Sequence, residues 1–106
     1  MDLQALADRL GFDLDEFGEL AELFLETENA EMAELKIAVA AGDADTVAKK
    51  AHSLKGAAGN LGFNEIYKLA QELDLKAREQ NLAAAGALVA PIEQQLILIG
   101  EALAKI

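Results

Sequence analysis

The 106-residue chain has no cysteine and no tryptophan, a single proline, a single histidine and an aromatic content of 5%. Without cysteine there are no disulfides, thiolate nucleophiles or cysteine-ligated metals, and the redox compartment stays open. One proline leaves almost every candidate helix uninterrupted. Scarce aromatics, with few β-branched residues before the last third, argue against sheet. Basic residues are also in short supply: nine Lys and Arg against nineteen Asp and Glu give a formal charge of −10. Most of such a surface repels a phosphate backbone or an anionic membrane, so neither nucleic acid nor membrane is expected as a partner. The opening Met1-Asp2-Leu3-Gln4 lacks the basic region of a signal peptide, and no window is expected to reach the length of a membrane span. These exclusions leave a cytoplasmic helical domain, one unit over residues 1–106, as the expectation.

What is present supports that expectation. The chain is 53% hydrophobic, and alanine, leucine, glutamate and lysine, all good helix formers, dominate it. Gly11, Gly42-Asp43, Gly62-Phe63-Asn64 and Gln80-Asn81 punctuate segments whose apolar residues recur at three-to-four spacing. Leu3, Leu6 and Leu10 mark a short lead-in helix. Asp13 followed by Glu16 resembles a capping box, opening a long helix through Phe17, Ala21, Phe24, Met32, Leu35 and Val39 that should stop near Ala41.

Asp43 is a candidate N-cap for a helix from Ala44 to Leu61, and Asn64 for a helix with Ile66, Leu69, Ala70, Leu73 and Ala77 inward. Asn81 precedes a last segment with the seam Ala85, Leu88, Ile92, Leu96, Ile99 and Leu103; Pro91 should kink it, or else a helix begins near that proline. Short loops between long amphipathic helices make neighbours antiparallel. The expected fold is all-α, an up-down antiparallel four-helix bundle with a short extra N-terminal helix.

The single histidine lies in the segment AHSLKGAAGNLG, residues 51–62, beside glycines that weaken a helix. At about 100° per residue, Val47, Ala51, Leu54, Ala58 and Leu61 form the core side of this helix. His52 falls nearly opposite, with Asp45, Ala48, Lys49, Lys55, Gly56 and Gly59 around it. The ring should therefore face solvent on a strip cleared by Ala48, Gly56 and Gly59, open to close approach by a macromolecule. Lys49, Lys50 and Lys55 place three of the nine basic residues within seven positions, a local positive patch in an acidic chain. Neutral imidazole is a nucleophile toward phosphorus, and flanking lysines disfavour the protonated ring. Lys55, one turn along, can meet a phosphoryl group as a point charge.

Residues Ala51-His52-Ser53-Leu54-Lys55-Gly56-Ala57-Ala58, with Asn60-Leu61-Gly62, closely resemble the signature of histidine-containing phosphotransfer (HPt) domains of bacterial two-component phosphorelays. The resemblance extends over nearly the whole chain. It implies a phosphorelay intermediate: the histidine matching His52 accepts a phosphoryl group on Nε2 from an aspartyl phosphate of a receiver domain and passes it to another receiver. Lys55 would stabilise that group, and Gly56 would give the receiver room. The partners implied are response-regulator receivers or a hybrid sensor kinase. No intrinsic cofactor is expected; Mg²⁺ would belong to the receiver. The partner surface is expected to centre on Ala48, Lys49, Gly56 and Gly59 and to include the long second helix, with the chain itself a monomer.

Other functions are less well supported by the residues. Gly56, Gly59 and Gly62 are spaced as neither a dinucleotide fingerprint nor a P-loop, so a phosphocarrier is expected rather than an autonomous kinase. One histidine without a carboxylate or second histidine at i+4 cannot build a closed metal site. A non-phosphorylated acidic adaptor, binding a receiver or a partner helix through the same face, is the alternative from another class. Glu26, Glu28, Glu31 and Glu34 read as a solvated acidic face, Tyr67 as a packed ring, and Phe63 as a hydrophobic staple.

Overall fold

A computed structural model describes residues 1–106 as six helices: α1 (Leu3–Leu10), α2 (Leu14–Ala40), α3 (Ala44–Asn60), α4 (Asn64–Arg78), α5 (Leu82–Gly86) and α6 (Val89–Leu103). There are no strands.

Four of the links between helices repeat one hydrogen-bond pattern. After α2, the Gly42 N–H donates to the Val39 carbonyl and the Asp43 N–H to the Ala38 carbonyl, with Gly42 at φ +73°. After α3 the same two bonds run from Gly62 to Gly59 and from Phe63 to Ala58, with Gly62 at φ +75°. These are Schellman closures, which satisfy the orphan carbonyls of a helix end by a left-handed residue. Gly11 and Phe12 close α1 in the same way. After α4 the left-handed position is held by Gln80, at φ +62°, a conformation that L side chains resist.

The residue that ends one helix also starts the next. Asp43, whose N–H closes α2, accepts from the Thr46 backbone N–H at 3.2 Å and its hydroxyl at 2.6 Å. These bonds hold its carboxyl below the ordinary value of 3.8. Asp13 and Glu16 form the reciprocal capping box expected of α2. Asn81 caps α5 through the Ala84 N–H. Asn64 does not cap α4: it is the first helical residue, and Phe63 occupies the cap position without a side-chain bond. Phe63 is instead held by the core, its ring 5.1 Å from that of Phe24 and 6.0 Å from that of Phe17. Burial against α2 thus replaces the staple expected within the helix itself.

The last segment departs further from expectation. Residues 82–103 reach the length and mean hydropathy, 1.6, of a membrane span, contrary to the sequence reading. The chain uses this segment as a wall of the bundle, burying Ala85, Val89, Ile92, Leu96 and Ile99. Leu88 and Leu103 are half-buried. A turn at Ala87-Leu88 divides the segment, so Pro91 lies in the first turn of α6. There its missing N–H is one of the unsatisfied donors of any helix start, which is why the helix begins near the proline and is not kinked at it.

Helices α2, α3, α4 and α6 surround a core that includes Phe17, Leu35, Val47, Ile66, Leu73, Ile92 and Ile99. In the ring of contacts, α3 packs on α2 and α4, and α6 on the same two helices. α1 lies against α2, contributing Leu3 and Ala7 to the core, while Leu10 is exposed.

Glu28 corrects the reading of a solvated acidic face. It is 5% exposed, placed between Phe24 and Met32 on the buried stripe of α2. Burial, then the nearby Glu31 charge, push its carboxyl above the ordinary value, against an opposing pull from Lys50. Glu26 and Glu34 are exposed and Glu31 half-buried.

Candidate functional site

The core side of α3 consists of Val47, Ala51, Leu54 and Ala58, all buried, and it turns His52 outward. The His52 side chain is 66% exposed. Gly56, one turn on, has nothing within 4 Å of where a Cβ would stand. Lys55 is half-buried along α3. Lys49 is exposed, and neither lysine enters an ion pair.

The remaining members of the expected strip differ. Gly59 is not cleared space: a Cβ there would stand 3.2 Å from Tyr67 Cδ2, so the glycine admits the α4 ring. Tyr67 lies over Gly59 while remaining 37% exposed, so it is not packed beneath a neighbour. Ala48, expected at the centre of the exposed strip, is 9% exposed and joins the core cluster. Gly59 itself stays exposed beside that ring, whereas Ala48 is buried. Lys50 is withdrawn from the expected positive patch, because its ammonium bonds Glu31 at 2.6 Å and also Glu34, both on α2. Those bonds raise the Lys50 ammonium above its ordinary value, fixing the charge on the side of α3 that faces α2.

The groups that complete the surroundings of His52 come from α4. Asp74 is buried, and its Oδ2 is 3.9 Å from His52 Nδ1. Its other oxygen accepts from Arg78 Nε at 2.8 Å. Sequence reading missed both residues. The i, i+4 spacing of Asp74 and Arg78 is a visible signal for an ion pair, but nothing in α4 alone points the pair at His52. The α2 helix, expected to share the face, meets α3 through Lys50; the helix beside the imidazole is α4.

An exposed imidazole with one open glycine beside it, free lysines on its own helix and a buried carboxylate behind one nitrogen is suited to nucleophilic work on an incoming group. The family model of the Hpt domain matches residues 19–105, from the first turns of α2 to the end of the chain's last helix. The chain belongs to the Hpt domain family. No curated protein and no solved structure matches it. Hpt domains are helical phosphocarrier modules that carry out histidine phosphotransfer in two-component phosphorelays. They work with response-regulator receivers and kinases.

Proposed function

We propose that this Hpt domain is a phosphorelay intermediate in which His52 Nε2 takes a phosphoryl group from a receiver aspartyl phosphate and returns it to the aspartate of another receiver. The observation that carries the reading is the placement of the chain's one histidine, 66% exposed and beside the open space at Gly56. Lys55 and Lys49 supply positive charge along the same helix, uncommitted to any carboxylate. Lys55 is the phosphate-stabilising group, by the cation placement that developing phosphoryl charge requires.

The partner surface follows from the same placement. A receiver docks over His52 and Gly56, with Lys49 and the edge of Gly59 at its margin, and the exposed face of α4 beside them. Ala48 lies beneath this surface and contributes shape only. The underlying architecture is an up-down four-helix core of α2, α3, α4 and α6, with α1 and α5 as additions. Such a module needs no intrinsic cofactor, and Mg²⁺ belongs to the receiver.

The experiment is incubation with a phosphorylated receiver domain. The parent is expected to take up acid-labile, base-stable label and His52→Gln none. Labelling of His52→Gln to the parent's extent defeats the assignment.

A further inference from the structure

We propose that the outer face of α6 is a self-association surface, on which two copies of the chain pair antiparallel about a two-fold axis at Ile97.

The last segment is unusual in what it leaves outside. Residues 80–104 hold only two charged residues, Glu93 and Glu101, in a chain that is 26% charged. Glu93 is committed to Lys36 of α2. The core takes Val89, Ile92, Leu96 and Ile99, while Ile97 stays 54% and Leu98 44% exposed. Ala90, Gln94, Ile97, Glu101 and Ala104 are all exposed and recur at spacings of four and three. They form a second stripe along the helix, on the side away from the core. Helix α3 stands diagonally across the core from α6, since both pack on α2 and α4. A copy seated on this stripe therefore leaves His52 open.

The order of residues along the stripe selects the occupant. In an antiparallel pair centred on Ile97, that residue meets Ile97 of the second copy, Ala90 meets Ala104, and Gln94 meets Glu101. The alanines let the helices approach closely, and the isoleucines bury each other at the centre. Each Glu101 carboxylate then accepts from a Gln94 amide. A parallel pair would instead set Glu101 against Glu101. Two-fold contacts need such self-complementarity, because each residue of a pair occurs on both sides.

Charge points to the same face. Residues 1–35 hold eleven acidic residues against Arg9 alone, and residues 36–106 balance, eight against eight. The side formed by α1 and α2 therefore repels a copy of itself, whereas two chains of charge −10 meet with least repulsion along α6. Because α6 runs about 22 Å, the helix pair buries less than the roughly 800 Å² per partner of a standard interface. The dimer is accordingly weak and reversible.

Sedimentation equilibrium of the parent, Ile97→Glu and Gln94→Lys, from micromolar to millimolar chain, tests this. The parent is expected to pass from monomer to dimer across that range. Ile97→Glu should weaken the dimer roughly tenfold or more. Gln94→Lys, facing Glu101, should tighten it several-fold at low salt and less at high salt. Both positions are exposed, so circular dichroism should show parental helicity; if Ile97→Glu loses it, Gln94→Lys decides. A parent that is monomeric throughout overturns the proposal, as does a dimer that Ile97→Glu leaves unchanged or that Gln94→Lys fails to tighten. A monomeric parent that binds phosphatidylcholine vesicles, with binding lost in Ile97→Glu, overturns it in favour of a lipid surface.

Discussion

The ring of Tyr67 lies over Gly59, so that a Cβ on Gly59 would stand 3.2 Å from Tyr67 Cδ2. Gly56, three residues earlier on the same helix, has nothing within 4 Å of that position. The two glycines therefore serve different ends. Gly59 admits a neighbouring helix, and Gly56 leaves space outside the molecule.

That difference is measurable. Gly56→Ala should stabilise the domain by about 0.5–1 kcal/mol, the helix-propensity gain, while slowing phosphoryl uptake from a receiver. Gly59→Ala should gain less, because Tyr67 must move by a few tenths of an ångström. Urea midpoints and a transfer assay on the two variants separate the roles. A Gly56→Ala protein with faster or unchanged uptake would remove the case for open space at His52.

Glu28 sets a pH dependence of stability. Its carboxyl lies above the ordinary value of 4.5, so the folded state holds this proton more firmly than the unfolded chain. Stability from this group falls as pH rises from about that unfolded value through the raised one. Asp13 and Asp43 act in the other direction: lowered by their capping bonds, they withdraw stability as pH falls below 3.8. Glu28→Met should flatten the upper limb and raise stability at neutral pH by about 1 kcal/mol. Melting curves from pH 3 to pH 8, about the range over which carboxyl groups act, check both limbs. A Glu28→Met protein less stable than the parent at neutral pH would show that the carboxylate is favourably held.

The lysines of α3 divide by partner. Lys50→Met breaks the bonds to Glu31 and Glu34, and should destabilise by about 1 kcal/mol with phosphoryl uptake unchanged. Lys55→Gln should leave stability nearly unchanged and reduce uptake roughly tenfold. Equal effects of both variants on uptake would mean that only the summed charge of α3 matters.

Gln80 is the one non-glycine residue at positive φ. Gln80→Gly should therefore stabilise the α4–α5 link by about 1 kcal/mol, without altering transfer. A lower melting temperature for this variant would show that the Gln80 side chain outweighs its backbone strain.

How much was legible in the sequence depended on the range of the interaction. The capping box at Asp13, the left-handed stops at Gly42 and Gly62 and the Asn81 cap are settled within a few residues, and each stands where its signal does. The inward faces of α3 and α4 are also a property of each helix's own period. The same period places position 28 between Phe24 and Met32, but a glutamate there reads as polar because residue type conceals the buried position. Asn64 shows the converse failure, a good capping residue displaced by one position because Phe63 is drawn into the aromatic contact with Phe17 and Phe24.

By itself, the sequence determined an all-helical chain, the helix stops at Gly11, Gly42 and Gly62 and a histidine directed outward from α3, since backbone capping and a 3.6-residue repeat act locally. Tertiary structure alone decided that α4 stands beside that histidine, bringing Asp74 to Nδ1, laying Tyr67 over Gly59 and covering Ala48. It also decided that Lys50 turns to Glu31 and Glu34 while Lys49 and Lys55 stay unpaired. The reason is that a helix's own period fixes which side is apolar, whereas the neighbour across each polar flank is fixed only when separate helices pack.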